Sequence, residues 1–343
     1  MIQVAVDAYG GDFAPDEVIK GVRYALKEKQ GLFVYLVGKQ DELEKLIGDF
    51  SDDLKERVEI VNADEIVRMS DKPSQALRMK NSSMSVGIKL VKEGKARAFM
   101  TAGNSGAAMA VAMFNLGRIK GVSRPAIATL LPTLDGQVML IDAGANVDCK
   151  PQHLVEFAIM GAVYVKYVVG VKNPKIGVLS NGSEPGKGNQ LTLAAYDLLY
   201  KSRLNFIGNV EGDEIYKGKA DVVVSDGFVG NVVLKVSESV PHVIAEFLRE
   251  EIRKSFLSKL GFLLAKSAFK ALKKKTDYAE FGGAPLLGVN GACVISHGRS
   301  NAIAIKNAIL KALRFSEEKV NDKIESALKS CLVLKELKGV VRS

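Results

Sequence analysis

Tryptophan is absent from the 343 residues, and histidine and cysteine occur only three times each. Cys149, Cys293 and Cys331 are too few and too scattered for a disulfide framework or for paired zinc ligands, so each reads as a reduced, packed thiol. No window approaches the roughly 20 uninterrupted apolar residues of a spanning helix, which restricts any membrane contact to the periphery. The opening MIQVAVDAYGGD carries no basic leader, long apolar run or small-residue cleavage site, so a cytoplasmic protein is expected. The sequence has no GxxxxGK[ST] run and no GxGxxG fingerprint, which speaks against ATP and nicotinamide. It also lacks HExxH, CxxC and GxSxG, which speaks against a zinc hydrolase and an α/β-hydrolase. With no internal repeat and no Pro/Gly-rich linker, residues 1–343 read as one catalytic unit, and 121–125 is its one candidate joint.

What is present is 47% apolar and 25% charged, within the ordinary globular range. The net charge of +9 is strongly localised. Residues 252–275 hold eight cations (Arg253, Lys254, Lys259, Lys266, Lys270, Lys273, Lys274, Lys275) and no carboxylate, so removing those eight from +9 leaves +1 for the rest. Clustered charge without interleaved aromatics does not describe a nucleic-acid binder. Within the same stretch Phe256, Leu260, Leu263 and Leu264 follow helical spacing, with a break expected at Gly261. Residues 250–278 therefore read as a basic amphipathic protrusion. Two readings stand: the apolar stripe packs on the core or a second subunit, or it touches anionic lipid.

Short apolar runs at 2–6, 33–37, 58–61, 98–100, 126–131, 138–141, 175–179, 221–224 and 292–295 read as strands. Helical patterns occupy 16–29, 82–93, 151–169, 191–201, 229–253, 300–313 and 317–333. This alternation predicts a doubly wound α/β fold with a largely parallel sheet. In such sheets ligands sit beyond the carboxyl ends of the strands. The glycine-rich and polar residues collect at those ends, in loops 7–12, 101–106, 142–148, 181–189, 225–231 and 297–301. Six such loops on one edge are expected to line a single cleft. Glycine permits close backbone approach, and free amides at helix starts bind anions, so a phosphate-like group is the natural guest. The candidate binding residues are Asp7, Gly10, Gly11, Asn104, Ser105, Gly106, Asp142, Asn146, Asp148, Gly186, Gly188, Asp226 and Gly227. Lys187, between two glycines, adds a point charge. Converging carboxylates would suit a divalent cation, but helix capping is the expected role for most of them, and no metal or cofactor is expected.

The stretches VAVDAYGGDFAP, MSDKPSQALRMKNSSM, TAGNSGA, DAGANVDCKPQHLVEFAIMG, FIGNVEGDEI, DVVVSDGFVGNVVLK and FGGAPLLGVNGACVISHGRS resemble, in order, the motif series of the bacterial acyl-acyl carrier protein:phosphate acyltransferases of phospholipid synthesis. The resemblance runs from about residue 2 to residue 314. It implies a three-layer fold similar to that of isopropylmalate dehydrogenases and phosphate acetyltransferases. It further implies a homodimer peripheral to the inner face of the cytoplasmic membrane, with Phe256, Leu260, Leu263 and Leu264 at its membrane-facing tip. The implied partners are acyl carrier protein, inorganic phosphate and the downstream glycerol-3-phosphate acyltransferase. Catalytic weight falls on Lys187 and Asn231. Tyr9 stands where the family usually has Met, and SNGSEPGKGNQ departs from the more typical NIGxExxKGNE.

The chemistry asks for phosphate held against a thioester carbonyl, and a thiol leaving group with a pKa of about 8.5 needs no strong acid. Glycine-loop amides and Lys187 are expected to hold phosphate while Asn231 stabilises the oxyanion, without an acyl-enzyme. His297 is a further candidate, either as a base or as a binding and loop-orienting residue. The acyl chain needs an apolar groove, bounded in this reading by the amphipathic hairpin and residues 281–289. Rival readings are a coenzyme A-dependent phosphate acyltransferase, a metal- and nicotinamide-dependent hydroxyacid dehydrogenase, and a basic binding protein.

Overall fold

A computed structural model describes residues 1–276 and 282–340. Its strands are β1 (Ile2–Asp7), β2 (Leu32–Gly38), β3 (Val58–Asn62), β4 (Ala98–Thr101), β5 (Ala126–Thr133), β6 (Gly136–Ile141), β7 (Ile176–Leu179), β8 (Phe206–Val210), β9 (Val222–Val224), β10 (Ala284–Leu287) and β11 (Ala292–Ile295). Its helices are α1 (Asp16–Glu28), α2 (Gln40–Leu46), α3 (Asp52–Lys55), α4 (Pro73–Ala76), α5 (Ser83–Lys92), α6 (Ser105–Leu116), α7 (Pro151–Tyr164), α8 (Gln190–Lys201), α9 (Gly227–Lys254), α10 (Phe256–Leu264), α11 (Lys266–Thr276), α12 (Ala302–Glu317), α13 (Val320–Ser330) and α14 (Leu332–Val340). A π-turn, Val165–Val169, extends α7.

The strands form one sheet in the order β3-β2-β1-β4-β11-β10-β5-β6-β9-β7-β8. Three layers follow from the period-2 alternation of strand side chains. In β1, Val4 and Val6 face a core shared with α1 and α12, while Ala5 faces a second core shared with α5 and α6. In β6, Met139 and Ile141 face α7, and Val138 and Leu140 face a third cluster that includes Val233 and Leu234 of α9. Gly161 lets α7 lie against the strands: a Cβ there would come within 2.7 Å of a Val222 methyl and 3.3 Å of an Ile141 methyl.

The sheet is parallel in two blocks, β3-β2-β1-β4-β11 and β6-β9-β7-β8. Antiparallel pairings of β10 with β11, β10 with β5, and β5 with β6 join them. The two blocks therefore run in opposite directions in the ladder, and the six loops leave it as two groups rather than along one edge. The segment 121–125 is pinned to α7, where the buried Glu156 carboxylate accepts from the Ser123 amide (2.7 Å) and hydroxyl (2.8 Å).

The basic segment is helical but is not broken at Gly261, which lies inside α10. The chain turns at Ser255, whose backbone is extended, and again at Ala265. Serine favours helix starts, whereas one glycine inside a helix costs only about 1 kcal/mol. None of the α10 residues is buried, and Phe256, Leu260, Leu263 and Leu264 are exposed. Asp277, Tyr278 and Phe281, at the expected end of the protrusion and the edge of the acyl groove, lie outside the described residues, as do 341–343.

Gly161→Ala should destabilise the protein by roughly 1–3 kcal/mol through overpacking, read as a lower urea midpoint at unchanged m. Gly212→Ala, with open space around it, should shift stability by less than about 0.5 kcal/mol.

Candidate active site

The first loop group lies beyond β1, β4 and β11. The Asp7 carboxylate is buried and accepts from the Thr101 hydroxyl (2.7 Å) and the Tyr9 amide (3.1 Å). Burial pushes its pKa up and these donors pull it down. Gly10 is wedged against the next loop, where a Cβ would lie 2.6 Å from the Thr101 hydroxyl and 2.7 Å from the Gly103 nitrogen. Gly11 adopts φ +111°, and the following Asp12 amide donates to the Gly298 carbonyl at 2.7 Å. Asn104 caps α6 by accepting from the Ala107 amide (3.0 Å), and its side chain donates to the Met69 and Asp71 carbonyls. The Ser105 and Gly106 amides lie in the first turn of α6.

The second group lies beyond β6, β9 and β7. Asp142 has zero exposure and accepts from the amides of Ile127, Gly144, Ala145 and Asn146 and from the Asn146 side chain, at 2.7–3.2 Å. Burial pushes its carboxyl up and the five donors oppose that push. Asn146 also donates to the Pro125 carbonyl (2.7 Å) and accepts from the Gly227 amide (2.7 Å). Asp226 caps α9 by accepting from the Phe228 and Val229 amides, both at 2.9 Å. Gly230 passes so close that a Cβ would sit 1.8 Å from the Asp142 carbonyl oxygen, which excludes every other residue there. One residue on, exposed Asn231 lies over Gly144.

Lys187 is exposed on the loop that follows β7, next to β9 in the sheet. Buried Asn209 holds that loop from β8 by donating to the carbonyls of Glu184 (2.7 Å) and Lys187 (3.3 Å). An Asn189–Thr192 capping box starts α8 behind it. Gly186 is in open space, and Gly188 takes φ +129° against Thr192. Lys187 and Asn231 thus project from neighbouring strand ends, although among the described residues no hydrogen bond joins them.

Helix α9 links the two groups. Asn231, Lys235 and Glu238 fall at i, i+4 and i+7, on one face. Glu238 Oε2 lies 3.8 Å from His297 Nε2 and accepts from Lys235 Nζ at 2.9 Å. His297 is therefore about 10 Å along the helix from Asn231. Its Nδ1 accepts from the Arg299 amide (3.1 Å), which places the ring proton on Nε2. Burial lowers its pKa, with Glu238 opposing and Lys235 assisting. The neutral ring is arranged to donate from Nε2 rather than to accept a proton there.

The structure sorts the candidates by exposure. Asp7, Asp142, Asn146 and Asp226 are buried and spend their polar atoms holding loops, so they shape the site without facing a ligand. Asn104 and Gly227 likewise fix helix starts, whereas Ser105, Asp148, Gly186, Lys187 and Asn231 are exposed. Lys235, Glu238 and Asn209 are the residues that the sequence reading missed. The one available signal was the i, i+4 spacing of Lys235 from Asn231. The Cys149 thiol donates to the Asn146 carbonyl and is pushed up to about 12, first by burial and then by Asp142, which disfavours the thiolate that a nucleophile needs. His153, four residues on, does not activate it, because its Nδ1 accepts the Lys150 amide in a helix cap.

His297→Gln, which keeps a donor at the end of the side chain, should retain kcat/KM within about tenfold, while His297→Phe should lose on the order of 10². Equal losses would contradict a donor role. Cys149→Ser should keep kcat within about twofold in the same assay.

The family model described as "Fatty acid synthesis protein" matches residues 2–323. The phosphate acyltransferase of Pelotomaculum thermopropionicum is 48% identical over 330 residues, covering 96% of both chains. That of Wolinella succinogenes is 49% identical over 331 residues, covering 96% of this chain and 98% of its own. Among solved structures, a phosphotransacetylase from Streptococcus pyogenes superposes with a TM-score of 0.61 at 18% identity, covering 93% of this chain and 94% of its own. The EutD phosphotransacetylase from Staphylococcus aureus gives 0.59 at 15%, covering 92% and 94%. These two likenesses establish the phosphate acetyltransferase-like fold. The family match and the near full-length relatives show that the chain belongs to the phosphate acyltransferase family of fatty acid synthesis proteins.

Proposed function

We propose that this acyltransferase moves a long-chain fatty acyl group from the thioester of acyl carrier protein to inorganic phosphate. The observation that carries the reading is that an exposed lysine, Lys187, on the loop after β7, and an exposed asparagine, Asn231, early in α9 after β9, follow the carboxyl ends of adjacent strands, with Asn209 holding the one segment and Asp142 and Gly230 the other. Lys187 and the loop amides hold hydrogenphosphate. A phosphate oxygen attacks the thioester carbonyl carbon, and the side-chain amide of Asn231 stabilises the tetrahedral oxyanion. The C–O bond forms, the C–S bond breaks, and the phosphate proton ends on the departing thiol. No acyl-enzyme intervenes. The product is an acyl phosphate, the activated donor that a glycerol-3-phosphate acyltransferase consumes.

Helix α9 carries a second face, with Val229, Val232, Val236, Val240, Val243 and Phe247 exposed at steps of three and four. A second copy of the chain covers this stripe in the proposed homodimer. Beyond it, exposed Phe256, Leu260, Leu263 and Leu264 with Lys259, Lys266 and Lys270 suit an anionic membrane surface. Among the described residues no helix is long and apolar enough to cross a membrane, so the proposed contact with the inner face of the cytoplasmic membrane is peripheral.

Phosphate-dependent release of thiol from palmitoyl-acyl carrier protein should fall by about 10²–10³ in Lys187→Ala, measured beside palmitoyl-coenzyme A. Turnover confined to the coenzyme A ester would overturn the donor assignment. The protein should float with vesicles containing phosphatidylglycerol and not with pure phosphatidylcholine, and a Phe256→Ser/Leu263→Ser variant with an unchanged melting temperature should remain in the soluble fraction. Equal flotation on both vesicle types would contradict electrostatic docking.

A further inference from the structure

An open groove of about 570 Å³ lies away from both loop groups, between α7 with its π-turn, α13 and the segments that enter β7 and β8. Lys172–Pro174 and Arg203–Asn205 are at the amino ends of these strands, whereas Lys187 follows the carboxyl end of β7. The four residues of β7 alone separate the two by about 13 Å.

Its floor is apolar, formed by Ala162, Val163, Ile176, Leu204 and Ala327. Its rim is cationic: Lys166, Lys172, Arg203, Lys319 and Lys323 against one lining carboxylate, Asp322. Of the five, Lys323 is already engaged, 3.2 Å from Glu318 and 3.6 Å from the centre of the Tyr167 ring, and Lys166 lies over the same ring at 5.4 Å.

Two backbone irregularities fall on this groove. The π-turn Val165–Val169 carries Lys166 and Tyr167, and both line the groove. Lys319 is the one non-glycine among the described residues with positive φ (48°), a position glycine would occupy without strain. The sequence keeps a lysine there, and that lysine lines the groove. Strained residues of this kind collect at ligand clamps.

Lysine ammonium groups and an arginine guanidinium on the rim of one groove suit a dianionic phosphate better than a single carboxylate, and the apolar floor suits a hydrocarbon moiety beside it. We infer that this groove is a second anion site, taking phosphomonoesters that carry an apolar group. The ligand held there is not the reacting one, because the catalytic loops leave the other end of the same strands.

The test is calorimetric titration of the full chain with hexyl phosphate, beside hexanoate and inorganic phosphate. Hexyl phosphate should bind wild type and Lys187→Ala alike, and at least tenfold more weakly to Lys172→Glu/Arg203→Glu, whose melting temperature should match wild type because both residues are exposed. Hexanoate and inorganic phosphate should each bind at least fivefold more weakly than hexyl phosphate. If that double variant melts early, Lys172→Gln/Lys319→Gly replaces it, with the same weakening expected. A loss in Lys187→Ala with none in the groove variants would assign the binding to the catalytic loops and overturn the proposal. Equal affinity for hexanoate would overturn the phosphate assignment, and no binding of hexyl phosphate would overturn the site.

Discussion

The site is built around the carboxylate of Asp142. Fully buried, it would be costly to leave unpaired, and five N–H donors converge on it. Charge-assisted hydrogen bonds of this kind contribute about 1.5–3 kcal/mol each. Those donors come from β5, from the loop after β6 and from the Asn146 side chain, so one group fixes the antiparallel joint and the loop together. Asn146 passes the constraint to Gly227, and Gly230 rests on the Asp142 carbonyl. The first turn of α9, and with it Asn231, is held by contacts that leave little room to relax.

From that anchored start α9 serves as a ruler. Its polar face presents Asn231, Lys235 and Glu238 toward the loop of His297, so a single rigid element sets the spacing between groups that leave two oppositely directed blocks of the sheet. Preorganised donors of this sort cost no reorganisation when charge develops on a carbonyl oxygen. After Glu238 the helix reaches Pro241, and from His242 to Glu251 every residue is exposed. The same helix therefore carries Asn231, Lys235 and Glu238 on one face and an exposed apolar stripe from Val229 to Phe247 on another.

Nine strands and the longer amphipathic helices were readable because burial on one or both faces leaves a period in the sequence. Two strands escaped: β8 is interrupted by Gly208-Asn209, and β10 contains Pro285. Missing β10 concealed the antiparallel joint, and so suggested one edge where there are two loop groups. The helix α6 was also missed, since SGAAMAVAMFNL has no polar face to mark its period. Within the site, glycines and caps were legible locally, because Asp226 and Asn104 act on amides two or three residues away. The Glu238–His297 approach and the grip of Asn209 on the Lys187 loop join distant segments, and no local pattern announces them.

The most direct test of the account is the position of the phosphate-like anion in a crystal soaked with arsenate and located by anomalous scattering. The account predicts arsenate between Lys187 Nζ and the side chain of Asn231, within hydrogen-bonding distance of the lysine. Arsenate bound at the opening of α6 near Ser105, with Lys187 directed elsewhere, would contradict it.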